Sequence, residues 1–288
     1  MATTINQGFQ QLKTNLEITG LQQQTVSTRQ QNVREAVENE LTVLDSFLTG
    51  SYRRSTMIAP LKEADVDIFV ILHSDYYKKD GQAWLLDKIK TVLKKKYPTT
   101  PEISRNGQAV TITFTDFRVD VVPAFNRNGG GYLIPDSINK RWISTDPKKH
   151  VDIWSNANSA HQGDLVPLIK MIKGWNKKHS GLLRSFHLET MVLIILDNVK
   201  ISTYPSGVRY VFDKARQHVK SVIKDPAGYD GNIGDYLNTQ QKITEVTSRL
   251  ETAHSRAVEA ERFEQLGKTA MAFEKWQQIF GDHFPAYG

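Results

Sequence analysis

The sequence predicts an α+β protein, in which β-strands lie in the first half of the chain and helices dominate the second half. Two segments rich in β-branched and aromatic residues, DVDIFVIL at 65–72 and AVTITFTDFRVDVV at 109–122, are typical of strands. Beyond residue 150, apolar residues recur at helical spacing through most of the remaining chain. With 288 residues, the chain is long enough to bury one large core or two lobes.

Composition narrows the class of protein. The chain contains no cysteine, which excludes disulfides, cysteine-based zinc sites and a thiol nucleophile, and which fits a cytoplasmic protein. The longest purely apolar run is short, at 191–196, and the first residues are polar, so we expect neither a membrane span nor a signal peptide. The net charge of +6 favours polyanionic ligands, for which nucleotides suffice, and we do not expect a nucleic-acid partner.

The first fifty residues predict two helices. Phe9, Leu12 and Leu16 have helical spacing before Gly20 ends the first helix. A second helix begins near Ser27, where S-T-R-Q resembles a capping box, and it runs up to a Gly-Ser turn. The residues that it directs towards the core are Val33, Val37, Leu41, Leu44 and Leu48.

The strand at 65–72 opens with two alternating carboxylates, Asp65 and Asp67. Side chains of a strand repeat their direction every two residues, so both carboxylates project from one face of the sheet. Divalent cations need several oxygen ligands on a rigid mount, and a same-face pair of aspartates on a strand supplies both. A solvated strand edge produces the same D-x-D pattern, so the prediction of a metal site depends on further residues.

A third carboxylate is expected from the segment 109–122, which is either a pair of strands or one long bent strand. Asp120 lies near its end between two valines, where a buried carboxylate would be costly unless it met a cation. Asp116 is the competing candidate, but its position in TFTDFR is more typical of a turn or a solvent-facing residue. We therefore predict that Asp120 lies beside Asp65 and Asp67 on a neighbouring strand.

Gly50 and Ser51 precede the first of these strands, at the predicted end of a helix. Free backbone N–H groups and a small hydroxyl at such a turn can bind a phosphate chain. Arg53 and Arg54 follow at once, and they either contact phosphate or are solvated. A phosphate-binding turn beside a metal mount indicates nucleoside triphosphate chemistry.

The middle of the chain predicts one more helix and then a loop. Residues 84–97 are amphipathic and end in three lysines, which suit a helix C-terminus because they offset its dipole. Residues 126–150 contain three glycines and two prolines, and they are expected to form a flexible connection.

The second half of the chain predicts a series of helices with breaks. The segment 164–178 is strongly amphipathic, and the next helix begins at R-S-F-H-L-E-T, where Ser185 is a candidate N-cap. Residues 205–207 are expected to separate two helices, and residues 225–236 to form a turn-rich loop. The tail from 239 to 280 is again helical in pattern.

Taken together, G-S at 50–51, D-V-D at 65–67 and R-V-D-V-V-P at 118–123 resemble the DNA polymerase β-like nucleotidyltransferase superfamily. Within it, the chain resembles the bacterial CD-NTases, relatives of cyclic GMP-AMP synthase and oligoadenylate synthase that make signalling oligonucleotides in antiphage defence. Further likenesses are V-D-V-V-P-A-F at 119–125, G-G-Y-L-I-P-D at 130–136, W-I-S-T-D-P at 142–147 and R-S-F-H-L-E-T at 184–190. These motifs are spread over residues 50–190 of the chain.

The resemblance implies a polymerase β-like nucleotidyltransferase lobe with a mixed β-sheet at residues 1–150 and a helical lobe at 151–288. It places the active site in the cleft between the lobes and the N-terminal helices on the back of both. A lysine-bearing helix of the family contacts the donor triphosphate, which points to Lys173, with Lys170 as a rival one turn away. Ser185 would contact the donor phosphates and Phe186 would stack on the donor base, although core packing would also explain a phenylalanine there.

The activity that the resemblance implies is metal-dependent nucleotidyl transfer. Asp65 and Asp67 would bridge two Mg²⁺ ions, which Mn²⁺ can replace, and Asp120 would help deprotonate the acceptor 3′-hydroxyl. ATP and other ribonucleoside triphosphates would be joined into a cyclic di- or trinucleotide with release of pyrophosphate. The alternatives are a linear oligoadenylate-type synthase, an RNA-end nucleotidyltransferase and an inactive nucleotide or RNA sensor. Retention of all three acids argues against the inactive sensor.

The resemblance also implies two partners. The cyclic product would act on a downstream effector that cyclic nucleotides activate. Some CD-NTases also look to be conjugated through their C-terminal residue by a ubiquitin-transfer-like protein, which here would act on Gly288. The final residues, H-F-P-A-Y-G, are otherwise expected to form a frayed tail.

Overall fold

The computed structural model describes residues 1–229 and 231–288, and it confirms the α+β class. The chain divides into two compact units. The sheet unit is Ile18–Asp152, and the helical unit combines Met1–Glu17 with Ile153–Gly288. The first helix, α1 (Ile5–Asn15), therefore belongs to the helical unit. None of the helices in the described ranges has the length and apolar character needed to cross a bilayer.

The sheet unit alternates short strands with a few helices. Its elements in chain order are α2 (Gly20–Glu38), β1 (Val43–Thr49), α3 (Gly50–Arg53), β2 (Asp65–Leu72), α4 (Gln82–Lys96), β3 (Ile103–Asn106), β4 (Ala109–Thr113), β5 (Arg118–Asn126), β6 (Tyr132–Asp136) and β7 (Arg141–Thr145). The predicted strand at 65–72, the helix near 84–97 and the strand pair within 109–122 are confirmed.

The strands form one mixed sheet in the order β1-β2-β5-β4-β3, and β6 and β7 extend it from β5. Strands β2 and β5 are parallel neighbours, whereas the other strand pairs are antiparallel. One face of β2 carries Val66, Ile68 and Val70, which pack in a core with α2 and α4. Asp65 and Asp67 alternate with these residues, so they lie on the face opposite to α2 and α4.

The second predicted helix is wrong at its start. Helix α2 begins at Gly20, which the sequence suggested as a helix breaker, and not near Ser27. Thr19 and Gln22 form a complete capping box, in which each side chain accepts a hydrogen bond from the other residue's backbone N–H. A Gly at the first helical position is compatible with this arrangement. The complete capping box at Thr19 and Gln22 therefore determines where the helix begins, and the S-T-R-Q segment near Ser27 lies inside the helix.

The second predicted helix is also wrong at its end. Helix α2 stops at Glu38, and the following residues form the edge strand β1, so the Gly-Ser turn follows a strand and not a helix. Antiparallel pairing with β2, in which Phe47 lies opposite Phe69, overrides the helical spacing that Leu44 and Leu48 appeared to continue. Tertiary pairing of this kind is not visible in a local pattern.

Residues 126–150 are not the flexible loop that the sequence suggested. They contain the antiparallel pair β6 and β7, and Pro147 begins a helix. Glycines 129, 130 and 131 all have positive φ angles, and they form the turn that leads from β5 into β6. The strands hold only two or three apolar residues each, which is too few for their alternation to stand out beside the glycines and prolines.

The helical unit consists of α1 and the helices that follow the sheet. These are α5 (Pro147–Ala160), within which the division between the units falls, α6 (Leu165–Lys178), α7 (Ser185–Leu196), α8 (Tyr204–His218), α9 (Gln240–Gln265) and α10 (Thr269–Phe280). The predicted helices at 164–178 and within 239–280 are confirmed. The described part of 225–236 contains no helix, as expected for a turn-rich loop.

Two predicted boundaries in this unit are wrong. Residues 205–207 do not separate two helices but lie in the first turn of α8, where Thr203 accepts a hydrogen bond from the N–H of Ser206. Proline is tolerated there because first-turn N–H groups have no intrahelical acceptor. Ser185 is the first residue of α7 and makes no capping bond, and Arg184 holds the N-cap position.

The C-terminal residues pack against the N-terminal helix within the helical unit. The ring centroid of Phe9 in α1 lies 4.8 Å from that of Trp276 and 5.3 Å from that of Phe284. The N–H of Gly288 donates a hydrogen bond to the carbonyl of Ala2 at 3.2 Å. The prediction of a frayed tail is therefore wrong, because aromatic packing and a backbone hydrogen bond hold the end of the chain.

A buried histidine fixes the loop after α8 to the start of α7. His187 is 1% exposed, and its Nδ1 lies 2.8 Å from the hydroxyl of Tyr236. That hydroxyl also accepts the N–H of Arg184 at 2.9 Å, so it donates its own proton to a neutral imidazole. Burial, with a smaller contribution from Arg184, lowers the pKa of His187 from 6.5 to about 4.

We predict that this histidine makes the helical unit lose stability as the pH falls. Between pH 6.5 and pH 4 the unfolded chain binds a proton at His187 that the folded chain refuses, so the free energy of unfolding decreases with falling pH over this window. Between pH 7 and pH 4.5 the wild type should lose about 2 kcal/mol more than His187→Gln in urea titrations. Equal losses in wild type and His187→Gln would contradict the assignment.

Candidate active site

Strand register places oxygen-bearing side chains in one row across four strands. Thr49 pairs with Asp67 between β1 and β2, Asp67 pairs with Asp120 between β2 and β5, and Asp120 pairs with Thr111 between β5 and β4. Register partners point to the same face of a sheet, and Asp65 shares that face because it lies two residues before Asp67. The structure therefore brings all three predicted acids together on one face.

Asp65 lies directly opposite a basic residue. Its register partner on β5 is Arg118, whose Nε donates to Asp65 Oδ1 at 2.5 Å. Both side chains are nearly half exposed, at 44% for Asp65 and 46% for Arg118. The hydrogen bond and the charge of Asp65 raise the pKa of Arg118, so this arginine is a permanent cation beside the acids.

Asp120 is partly buried. Its Oδ1 accepts a hydrogen bond from the Thr111 hydroxyl at 2.6 Å. Burial raises the pKa of Asp120, and the Thr111 hydrogen bond opposes that rise. The competing candidate, Asp116, lies in the turn between β4 and β5 and forms an ion pair with Arg29 at 3.0 Å, which confirms its assignment as a turn residue.

Asp67 lies so close to Gly50 that it leaves no space for a side chain at this position. Its φ angle is +64°, a conformation that glycine adopts readily, and a Cβ on this residue would lie 1.7 Å from Asp67 Oδ2. Ser51 follows in the short helix α3, where its carbonyl accepts the N–H groups of Thr56 and Met57. The turn is thus a compact structure directly beside the acids, and phosphate binding by Gly50 and Ser51 remains a prediction.

An aromatic cluster lies further along the same face of the sheet. Phe69, two residues beyond Asp67, stacks on Phe47 at 5.5 Å and meets Tyr132 edge-on at 5.6 Å between ring centroids. Lys148 reaches over the Phe47 ring at 4.4 Å. This packing holds β1 and β2 firmly at the point where they carry Thr49 and Asp67, so the acids stand on a rigid support.

The donor chemistry of the three acids fits a divalent cation. Carboxylate oxygens are the ligands that Mg²⁺ and Mn²⁺ prefer, and Asp67 and Asp120 stand on adjacent strands, roughly 4.8 Å apart in the hydrogen-bonding direction. Among the described residues, no group of three or more histidine, aspartate or glutamate side chains is arranged to hold a metal ion. Oδ1 of Asp65 accepts from Arg118 and Oδ1 of Asp120 accepts from Thr111, on a backbone that is already in register.

The remaining predicted site residues belong to the helical unit. Lys173 forms an ion pair with Glu189 at 2.8 Å, and Lys170 forms one with Glu17 at 2.6 Å. Both lysines are 6% exposed. Ser185 is exposed at the start of α7, and the ring of Phe186 stacks on Trp154 at a centroid distance of 5.7 Å. Their contacts with a nucleotide remain predictions, and so does the choice between the two lysines.

Sequence reasoning missed three residues that share the sheet face of the acids, namely Arg118, Thr49 and Thr111. Arg118 could have been found, because it lies two residues before Asp120 and therefore shares its face if the segment is a strand. Thr49 and Thr111 could not, since their positions follow from the register of antiparallel pairs and no local pattern specifies register.

Comparisons with known proteins agree on one family. Residues 3–158 match the model of the Second Messenger Oligonucleotide or Dinucleotide Synthetase domain. A probable cyclic nucleotide synthase of Bacillus cereus strain VD146 is 29% identical over 280 residues, which cover 83% of this chain and 81% of the relative. A cyclic AMP-AMP-AMP synthase of Acinetobacter sp. strain ATCC 27244 / 9458 is 26% identical, and the match covers 98% of this chain and 86% of the relative.

A solved structure shares the fold over nearly the whole chain. It is the Vibrio cholerae cyclic AMP-GMP synthase DncV in complex with the linear intermediate 5′ pppA(3′,5′)pG. The TM-score is 0.79 at 13% sequence identity, and the match covers 99% of this chain and 97% of that one. At this level of identity the likeness establishes the fold, including the mixed sheet and the helical unit.

We predict that Gly50 tolerates no side chain. Gly50→Ala should lower the free energy of unfolding by about 1–3 kcal/mol, because the new Cβ clashes with Asp67 and the positive φ is strained. Gly20→Ala is the matched control, since a Cβ at Gly20 has no heavy atom within 4 Å and the residue opens a helix. It should leave the unfolding free energy unchanged or slightly higher in urea titrations. Equal stability of the two variants would refute the close approach of Gly50 to Asp67.

Proposed function

The chain belongs to the family of Second Messenger Oligonucleotide or Dinucleotide Synthetase domains, the bacterial CD-NTases, and from this we propose that it joins ribonucleoside triphosphates into a cyclic oligonucleotide. The observation that carries the proposal is the row of acids: Asp67 in register with Asp120, Asp65 on the same face, and Gly50 in contact with Asp67. Nucleotidyl transfer needs this combination of oxygen ligands and a tight turn beside them.

In the proposed reaction, Asp65, Asp67 and Asp120 would hold two Mg²⁺ ions, for which Mn²⁺ can substitute. The ions, when bound, supply Lewis-acid stabilisation of charge on the phosphates and lower the pKa of the acceptor hydroxyl. Asp120 helps to take the proton of the acceptor 3′-hydroxyl. Because Thr111 fixes Oδ1 of this carboxylate, we assign its other oxygen, Oδ2, to the acceptor.

The turn at Gly50 and Ser51 serves the phosphates in this proposal. The backbone N–H groups of the turn and the Ser51 hydroxyl orient the triphosphate for in-line attack at the α-phosphorus, and pyrophosphate leaves. The family resemblance adds Lys173, Ser185 and Phe186 as donor contacts, an assignment supported by their motifs alone. A second transfer within the bound linear product closes the ring.

The relatives favour a product that contains adenosine. A match covering 98% of this chain is with a cyclic AMP-AMP-AMP synthase, so we propose ATP as a substrate and a cyclic di- or trinucleotide as the product. A cyclic nucleotide of this kind acts as a signal, and we propose that it activates a downstream effector in antiphage defence. A linear product would instead assign the chain to oligoadenylate-type synthesis.

The first test is product analysis with matched variants. Purified protein is incubated with the four ribonucleoside triphosphates and Mg²⁺ or Mn²⁺, treated with phosphatase and analysed by mass spectrometry. Asp67→Asn and Asp120→Asn should each lower product formation roughly a thousandfold, because several kcal/mol of transition-state stabilisation depends on metal ions that these carboxylates bind. Asp116→Asn should retain activity, since that carboxylate pairs with Arg29 in a turn.

The products decide between the alternatives. Phosphatase-resistant products that the Asp67→Asn variant lacks would support the proposal, and their masses give ring size and bases. Phosphatase-sensitive chains alone would indicate a linear synthase. Equal activity of all three variants would contradict the assignment of the site.

The C-terminus gives a separate proposal, that a ubiquitin-transfer-like partner conjugates the chain through Gly288. The partner would first have to take Gly288 out of its hydrogen bond with Ala2. Deleting Gly288 should abolish conjugation and leave nucleotide turnover intact, as measured by gel shift with the partner and by product analysis. Conjugation of the truncated chain would disprove it.

A further inference from the structure

The row of acids contains one basic residue that the proposed reaction does not use. Arg118 stands on β5 two residues before Asp120 and opposite Asp65. Its Nε donates to Asp65 Oδ1 at 2.5 Å, on the same sheet face as all three acids. A cation thus already occupies one of the carboxylates that a metal ion would need.

This ion pair engages one of the three acids that share the sheet face. The backbone register aligns them, yet no three-membered ligand group is present among the described side chains. Asp65 is the acid whose hydrogen bond comes from a cation, since its Oδ1 accepts from Arg118. Release of Asp65 from Arg118 would free this carboxylate for a metal ion shared with Asp67.

We propose that Arg118 is an internal counter-ion that competes with divalent metal for Asp65, so that metal loading requires Arg118 to release this carboxylate. The inference rests on the proposed function, because it concerns the same metal site. Arg118 balances the clustered negative charge when metal is absent. It also sets the metal concentration at which the site fills.

The exposure of the pair suits such an exchange. Ion pairs between side chains that are nearly half exposed add little net stability, so a divalent ion can displace the arginine at small cost. An arginine remains charged at every physiological pH, so the competition does not depend on protonation. Its charge opposes metal binding even after release, for as long as it stays near.

The expected effect can be measured with Mn²⁺ alone. Charges of +1 and +2 roughly 6 Å apart in a water-like dielectric repel enough to weaken binding about tenfold. Arg118→Gln should therefore lower the dissociation constant for Mn²⁺ about tenfold, as read from free Mn²⁺ by electron paramagnetic resonance. Arg118→Lys keeps the charge and should stay close to the wild type.

Arg105→Gln is the matched control. Arg105 also pairs with an aspartate, Asp87 at 3.2 Å, and is similarly exposed. It pairs in register with Val110, whose side chain lies in the core on the opposite face of the sheet. Removing this charge should leave Mn²⁺ affinity unchanged.

Thermal unfolding gives a second readout that does not depend on activity. In EDTA, Arg118→Gln and Arg105→Gln should unfold at similar temperatures, because each variant loses one partly exposed ion pair of little net stability. Saturating Mn²⁺ should raise the unfolding temperature of Arg118→Gln more than that of the wild type.

The outcomes separate the inference from the proposed function. Tighter Mn²⁺ binding in Arg118→Gln, with Arg105→Gln unchanged, supports the inference. Equal or weaker binding in Arg118→Gln, at a site that Asp67→Asn still removes, overturns the inference and leaves the proposed function standing. A wild type without any Mn²⁺ site that Asp67→Asn removes overturns both.

Discussion

The candidate site depends on the parallel pairing of β2 with β5. This register sets Asp67 against Asp120 and Asp65 against Arg118, and it joins two segments that lie about fifty residues apart in the chain. Strand side chains alternate between faces. A slip of one residue would therefore turn Asp120 into the apolar core and turn Val119 and Val121 out of it. The cost of burying a carboxylate there, with the loss of both valines from the core, makes the register strongly specified.

One face of the sheet carries the aliphatic core, and the other face carries the acids. On one face α2 and α4 cover an aliphatic core that fixes the strands. On the other face, apolar packing is limited to the cluster around Phe69, and the acids stand at its border. Asp65 is 44% exposed on this face, and each strand that carries an acid is anchored from behind and from one side.

Sequence reasoning recovered what depends on local periodicity. The D-x-D alternation placed Asp65 and Asp67 on one face, and the apolar setting of Asp120 distinguished it from Asp116 in the turn. It failed where pairing partners decide the structure: β1 continues a helical spacing yet pairs with β2, and β6 and β7 are too short to show alternation. The loop after α8 was recognised from its turn residues, but the hydrogen bond between buried His187 and Tyr236 of that loop was not predicted.

The two units treat charge in different ways, and the difference bears on the donor contacts. In the sheet unit, Arg118 and Asp65 are half exposed and can exchange partners at small cost. In the helical unit, Glu189 is completely buried, and Lys173 beside it is nearly so. Separating a buried ion pair typically costs about 3–5 kcal/mol. Lys173 could bind a triphosphate only if Glu189 kept a compensating partner. Separating Lys170 from Glu17 would cost less free energy, because the side chain of Glu17 is 41% exposed. The burial of each ion pair therefore determines the free energy needed to free either lysine for a triphosphate, and a sequence motif does not report burial.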